Sequence, residues 1–193
     1  MNLLLRGAVA AALVLCLACD TAIETPPAVT HLDLGYYQCQ VQPIFDRSCA
    51  FTACHGDPGR ALFTYSASKR RLVEEELIGE PLTDKELCSN YYRASVFVTP
   101  NPKESQLITK PETLDGYASQ YHAGNYLFGE GDPEALCLQA WMEGASQPVG
   151  TSTPSVPCRL PWRTRPDGAP GACVPRGIDC DQAIHGPDLP EGG

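Results

Sequence analysis

Two thiols and an imidazole lie close together in the segment Cys49-Ala-Phe-Thr-Ala-Cys54-His55-Gly56. The common signature for covalent haem attachment is C-x-x-C-H, in which the thiols form thioethers to the porphyrin and the adjacent histidine ligates the iron. Here the thiols are two residues further apart, so the segment is a C-x4-C-H variant. The competing interpretation is a disulfide between Cys49 and Cys54, although closing so short a loop contributes little chain entropy. The residue types and spacing predict haem c held covalently by Cys49 and Cys54, with His55 on its iron.

Two side chains are candidates for the other face of that iron. His122 lies in a glycine-rich loop at residues 115–131, and Met142 is the only methionine besides the initiator. Met142 falls inside a predicted helix, where a methionine normally fills the core. His122 and Met142 are therefore the two candidates for the second ligand, and Met142 is the less favoured of them. A histidine in place of methionine lowers the haem potential, because thioether sulfur favours reduced iron.

A helix should lead directly into the thiol loop. The apolar pattern that begins at Gly35 is amphipathic, and Pro43 should end or kink the helix near Gln42. Beyond the loop, residues 62–65 predict a short strand and residues 68–78 a helix with a charged face. The thiol loop is therefore expected to be framed mainly by helices.

Two later helices carry start signals. The pattern Thr-x-x-Glu at residues 83–86 is a capping box, and it predicts a helix to about Ala94. Asp132 followed by Pro133 favours the start of a closing helix that should run to Gly144. The predicted fold class is therefore mainly α and loop-rich.

The amino-terminal residues predict export and lipidation. Arg6 precedes an apolar run to Ala18 that is too short to span a bilayer and has the form of a secretory signal. The run stops at Cys19, as in a bacterial lipobox, although Cys16 stands where a branched apolar residue is usual. An ordinary signal peptide cut nearby is the alternative. The chain then divides into a lipoprotein signal peptide (1–18), a flexible tether (19–34), a helical domain (35–146) and a Pro/Gly/Cys-rich, disulfide-stapled, partly disordered tail (147–193).

Charge and motif content narrow the classes of partner. The 193-residue chain has a net charge of −9, which becomes −10 when Arg6 is removed with the signal. Such an acidic protein lacks a phosphate-neutralising patch, so we expect no nucleic acid partner. The acidity could steer a basic redox partner or simply keep an exported protein soluble. Nucleophile-elbow, phosphate-loop and HExxH motifs are absent from the sequence, so we expect neither an enzyme nor a small-molecule substrate.

Cysteine content indicates disulfides. Export places the chain in an oxidising compartment, and six cysteines remain outside the lipid and haem positions, with 15 possible pairings. Three of the six are in the tail, so at least one of those must bond back to the domain if all six pair within the chain. A zinc site would need closer paired spacing. The six are Cys39, Cys88, Cys137, Cys158, Cys173 and Cys180.

The order of these parts resembles a known family. A helix, a Cys-x(n)-Cys-His loop, a loop with a second possible ligand and a closing helix form the plan of small c-type cytochromes. The sequence motifs are similar to those of cytochrome c-like lipoproteins of myxobacteria and planctomycetes, over roughly residues 36–145. The resembling segments are residues 41–45, Cys49 to Gly56, residues 102–107, His122-Ala123-Gly124 and residues 131–141.

That resemblance implies a fold and a function. In the cytochrome c plan the distal ligand comes from the loop before the last helix, which implies His122 as the second ligand with Met142 as the alternative. The last helix packs on the first in that plan, here through Trp141 and Tyr36 or Tyr37. The implied protein is an electron carrier with one haem c, anchored by lipid to the periplasmic face of a bacterial membrane and serving a redox partner protein. Which membrane is left open, as is membership of a larger oxidase. The alternative is a haem-free, disulfide-rich lipoprotein with a binding or envelope-structural role.

Overall fold

The computed structural model describes residues 32–73, 78–114, 117–118, 122, 127–129, 131–144, 160 and 173–186. Within these residues the chain is mainly helical, with very short strands and long irregular connections. The predicted mainly α fold class is confirmed at that level. The predicted signal peptide, Cys19 and the tether as far as His31 lie outside the described residues, as do Cys158 and most of the predicted tail.

The first helix, α1, is continuous from Leu34 to Cys49 and ends on the first thiol of the C-x4-C-H segment. Its start is capped by Asp33, whose carboxylate accepts the Tyr36 N–H at 2.8 Å. α-Helical and π-helical turns alternate along it, in the order Leu34–Tyr36, Tyr37–Val41, Gln42–Ile44 and Phe45–Cys49.

The sequence predicted an end or a kink of the helix near Gln42, and the first of these is wrong, because α1 continues through Pro43. Proline has no N–H to donate to the preceding turn, and its ring crowds the carbonyl four residues back. Here a wider turn comes just before it, in which the Gln42 N–H reaches the Tyr37 carbonyl, five residues earlier. The π-helical turn accommodates the proline, and the helix continues into the thiol loop.

The next helix, α2, spans Asp84–Ser95 and begins at the predicted capping box. The Thr83 hydroxyl accepts the Glu86 N–H at 3.3 Å, and the Glu86 carboxylate accepts the Thr83 N–H at 2.9 Å. This reciprocal pair satisfies two N–H groups that a helix start leaves without partners. The predicted start and approximate length of α2 are confirmed.

Short elements connect α2 to the closing helix. The strand β1 is central, antiparallel to β2 and parallel to β3. The sequence did not predict these strands, because strands of two or three residues show too little alternation to be recognised. The elements are a 3₁₀ turn at Pro102–Glu104, α3 at Gln106–Thr109, β1 at Glu112–Leu114, β2 at Tyr117–Ala118 and β3 at Phe128–Gly129.

The closing helix, α4, spans Pro133–Gly144 as predicted and packs on α1. The Trp141 and Tyr37 ring centroids are 5.2 Å apart, and the Trp141 indole N–H donates to the Asp33 carbonyl at 3.2 Å. Both rings are fully buried. The predicted contact between first and last helices is therefore confirmed, and it forms the centre of the apolar core.

After the thiol loop, the described residues form neither the strand predicted at 62–65 nor the helix predicted at 68–78. The backbone of Tyr65 bonds to a side chain instead of a strand. The Asn90 side chain accepts the Tyr65 N–H at 2.7 Å and donates to the Tyr65 carbonyl at 2.8 Å. The buried Asn90 amide on α2 thus makes the two backbone hydrogen bonds that a neighbouring strand would otherwise make.

A buried ion pair ties that same segment to α2. Arg71 donates through Nε and Nη2 to the two oxygens of Glu86, each at 3.0 Å, and the side chains are 4% and 0% exposed. The Leu72 N–H also donates to the carboxylate, at 2.7 Å. Burial alone would raise the pKa of Glu86, but the hydrogen bonds from Arg71, Thr83 and Leu72 outweigh it and hold the pKa below its ordinary value.

Residues 173–186 form a C-terminal strap across α1 and α2. Disulfides join Cys39 to Cys173 and Cys88 to Cys180, which confirms that tail cysteines bond back to the domain. Cys137 is also disulfide-bonded, and its partner lies outside the described residues. The strap ends in a helix that was not predicted, α5 at Cys180–His185.

Candidate functional site

The two thiols of the predicted haem segment are both free. Cys49 is buried at the end of α1, and Cys54 is half-buried. The disulfide between them, which was the competing interpretation, is therefore not formed in this structure. The other described cysteines are all oxidised: Cys39, Cys88, Cys137, Cys173 and Cys180.

The loop between the thiols is closed by its own backbone. The His55 N–H donates to the Cys49 carbonyl at 3.2 Å, so the two ends of the segment stay together despite the two extra residues. The Gly56 N–H donates to the Phe51 carbonyl at 2.9 Å. A Cβ on Gly56 would stand 2.8 Å from the Ala50 carbonyl oxygen, closer than real Cβ contacts, so this position requires glycine.

The His55 ring is held by the segment that follows the loop. Its Nδ1 lies 2.7 Å from the Leu62 carbonyl oxygen, and the Thr64 N–H donates to the His55 carbonyl at 2.7 Å. When Nδ1 donates its proton to a carbonyl, Nε2 carries the lone pair. A backbone carbonyl on the second nitrogen is the usual way in which a metal-ligating histidine is oriented.

The surroundings of His55 favour its neutral form. Burial lowers the pKa of His55 most, the hydrogen bond with the Leu62 carbonyl opposes this, and the neighbouring His122, Arg60 and Lys110 side chains lower the pKa further. Only the neutral ring offers a lone pair to a metal. The surroundings thus favour the form that can act as a ligand at neutral pH.

His122 is brought to His55 from far along the chain. The two ring centroids are 6.0 Å apart and the ring planes are inclined by 21°. Two imidazoles that bind one iron from opposite sides, through nitrogens about 2 Å from the metal, have centroids roughly 6 Å apart. The structure therefore brings the two predicted axial ligands together at that separation, as near-parallel, stacked rings.

The other predicted site residues lie elsewhere. Met142 is buried in α4 with 1% of its surface exposed and belongs to the apolar core. Cys19 is outside the described residues. In the part of the chain that the structure describes, there is no group of three or more His, Cys, Asp or Glu side chains able to hold a metal ion. Of the described helices, none is long and apolar enough to cross a membrane.

A polar network that sequence reasoning missed positions the site. The Gln42 side-chain oxygen accepts from Asn90 at 3.0 Å and from the Tyr37 hydroxyl at 3.1 Å. With the bonds from Asn90 to Tyr65, this network fixes the segment whose Leu62 carbonyl holds the histidine. The available signal was Asn90 itself, a polar residue on the buried face of an amphipathic helix.

No family model, curated protein or solved structure matches the chain. The chemistry of the site is therefore judged from its own groups. These are two free thiols, one neutral imidazole with an available nitrogen, and a second imidazole facing it.

Proposed function

We propose that this protein carries electrons through one haem c, held covalently by Cys49 and Cys54 with His55 and His122 on its iron. The observation that carries the proposal is the 6.0 Å separation of the His55 and His122 rings. The state of the cysteines supports it, because the two cysteines that are free among the described residues are those beside His55. When bound, the haem would supply one-electron exchange between ferric and ferrous iron.

The residues around the site would tune that exchange. The Leu62 carbonyl orients His55, and the oriented imidazole is a stronger donor to iron. Two histidine ligands favour the ferric state relative to a histidine–methionine pair, so the proposed carrier has a low potential. We place it on the periplasmic face of a bacterial membrane, held there by lipid on Cys19. Its acidic surface would steer a basic redox partner protein.

A second candidate function is a haem-free lipoprotein with a binding or envelope-structural role. The observation in its favour is that two long-range disulfides already join the C-terminal strap to α1 and α2. Such staples stabilise a small domain without any cofactor. The two candidates differ in whether the exported protein contains haem.

Covalent haem is the direct test of the electron-transfer proposal. The full chain, exported in a bacterial host with working c-type haem attachment, should show a Soret band and retain haem stain on a denaturing gel. A Cys49→Ala/Cys54→Ala variant should lose the stain completely. A Cys88→Ala/Cys180→Ala variant also lacks two cysteines but should keep it. Wild-type protein free of haem in that host would overturn the proposal and favour the haem-free lipoprotein.

The identity of the second axial ligand has its own test. A His122→Ala variant should convert the ferric haem from a low-spin to a high-spin absorption spectrum, because one iron ligand is lost. His185→Ala, which removes an exposed histidine on α5, should leave the spectrum unchanged. A methionine–iron charge-transfer band that survives in His122→Ala and disappears in Met142→Leu would assign the ligand to Met142 instead.

A further inference from the structure

Four oxidisable aromatic rings form a continuous chain from the core to the surface. It begins at Trp141 and Tyr37, which are buried with their ring centroids 5.2 Å apart. The Tyr91 centroid lies 5.4 Å from that of Tyr37 and 6.2 Å from that of Trp141. Tyr92 follows at 5.5 Å from Tyr91 and is 38% exposed. Each separation is that of rings in contact, so no step of the chain crosses a gap.

The proton of Tyr92 has an acceptor that the other three rings lack. The Tyr92 hydroxyl donates to Oδ1 of Asp181 at 2.9 Å. The other three rings donate to amide oxygens, which are those of the Gln42 side chain at 3.1 Å, the Leu32 backbone at 2.8 Å and the Asp33 backbone at 3.2 Å. An ionised carboxylate is a base that can take the proton completely, whereas an amide oxygen only shares it.

The C-terminal strap holds Asp181 against Tyr92 covalently. Asp181 directly follows Cys180, which is disulfide-bonded to Cys88 on α2. Cys88 and Tyr92 are four residues apart in α2 and therefore lie on the same face of that helix. The Asp179 side chain also accepts the Asp181 N–H at 3.0 Å. The carboxylate is thus positioned beside the phenol by the disulfide and by the capped start of α5.

We propose that the four rings are a relay that carries an oxidising equivalent out of the core, with Tyr92 as its terminal site. A strong one-electron oxidant, such as an oxygen-derived radical, takes an electron from Trp141. An electron from Tyr92 replaces it by way of Tyr91, and the Tyr92 hydroxyl proton moves to Asp181. The products are intact Trp141, a neutral tyrosyl radical and a protonated carboxyl group. A one-electron reductant in solution, such as a thiol, then returns the electron, and the proton moves back to the Tyr92 oxygen.

Burial of the inner rings gives the relay its direction. A positive charge left on the buried Trp141 or Tyr37 ring is costly, and their amide partners cannot remove the proton that would neutralise it. At Tyr92 the ring stays neutral because Asp181 takes the proton, and the exposed ring is within reach of a dissolved reductant. The relay uses no haem, so it is independent of the function proposed above.

The test generates the oxidising equivalent at Trp141 with light, in the exported full chain with any haem kept ferric. A Trp162→Phe background leaves Trp141 as the one tryptophan. Flash excitation of tryptophan, with a cobalt(III) ammine complex as the electron acceptor, removes one electron from that ring. Transient absorption then gives the ratio of tyrosyl to tryptophan radicals, which does not depend on how many radicals each flash produces. The tryptophan radical should decay as the tyrosyl radical forms.

Two variants in this background decide the result. Tyr92→Phe should lose most of the tyrosyl signal, and its tryptophan radical should persist. Asp181→Asn keeps the ring but removes the base, so tyrosyl formation should slow about a hundredfold, as expected when a positioned proton acceptor is lost. Tyr36→Phe is the control and should behave like its parent, because the buried Tyr36 hydroxyl has no hydrogen-bond partner among the described residues.

Equal radical ratios for Tyr92→Phe and Tyr36→Phe would overturn the relay. An unchanged rate in Asp181→Asn would overturn it as well, since Tyr92 would then have no advantage over the inner rings. If Tyr92→Phe did not fold, the Asp181→Asn rate alone would decide. Absence of haem from the wild type would overturn the proposed electron carrier and leave this test unaffected.

Discussion

A Glu86→Gln variant is expected to lose about 3–5 kcal/mol of folding free energy, the usual effect of breaking a buried ion pair from one side. The substitution nearly preserves shape but leaves the Arg71 charge buried without its counter-charge. It also weakens the bonds that the Leu72 and Thr83 N–H groups make to the carboxylate. Urea unfolding of the full chain at pH 7, followed by circular dichroism, measures the loss.

The pH dependence of this effect has a defined sign. Because the folded-state pKa of Glu86 lies below its ordinary value of 4.5, the unfolded chain binds more protons between the two values. The stabilisation from Glu86 is therefore present above pH 4.5 and is lost as the pH falls through the folded-state pKa. The difference in stability between wild type and Glu86→Gln should narrow on acidification.

Glu104→Gln is the matched control for Glu86→Gln. Glu104 is exposed and accepts one hydrogen bond, from the Asn101 amide at 2.7 Å. Its replacement should change stability by no more than about 0.5 kcal/mol at any pH. Equal losses for the two variants, or a gap that widens in acid, would contradict the assigned role of Glu86.

Removing the Cys39–Cys173 disulfide is the second large effect. A Cys39→Ala/Cys173→Ala variant should lose about 4 kcal/mol, because the bond closes a loop across 134 residues and restricts the unfolded chain accordingly. The loss should appear in urea unfolding of the oxidised full chain. It should be absent when wild type and variant are compared under reducing conditions, where neither retains the bond.

Non-covalent contacts of the same strap provide the control. Arg176 forms an ion pair with Asp84 at 2.8 Å and donates to the Leu82 carbonyl at 2.9 Å. The ion-paired side chains are about half exposed, so Arg176→Gln should cost no more than about 1 kcal/mol. If the cysteine variant lost no more than Arg176→Gln, the covalent link would not be what holds the strap in place.

Local signals in the sequence predicted those parts of the fold that local chemistry determines. The capping box at Thr83 and Glu86 involves residues three apart, so it could be recognised directly. The Trp141–Tyr37 contact followed from the plan of the resembling family. The passage of α1 through Pro43 could not be predicted, because it depends on a π-helical turn that has no clear sequence signal.

The sequence predicted the residues of the candidate site, but not the groups that hold them in place. Cys49, Cys54 and His55 lie close together in sequence. The plan of the resembling family indicated His122, whose ring lies beside that of His55. The Leu62 carbonyl that holds His55 could not be inferred, because a backbone acceptor does not depend on residue type. The disulfide pairing could not be predicted either, since six cysteines allow 15 pairings.

The two strap disulfides also impose an order of events during biosynthesis. Cys173 is made 134 residues after Cys39, and Cys180 is made 92 residues after Cys88. During synthesis, Cys39 and Cys88 are therefore present in the chain before Cys173 and Cys180 have been made. Any disulfide formed before residues 173–180 are made can pair Cys39 or Cys88 only with an earlier cysteine. The two native pairs therefore form only once the C-terminal strap is available, and they are late events in the folding of this chain.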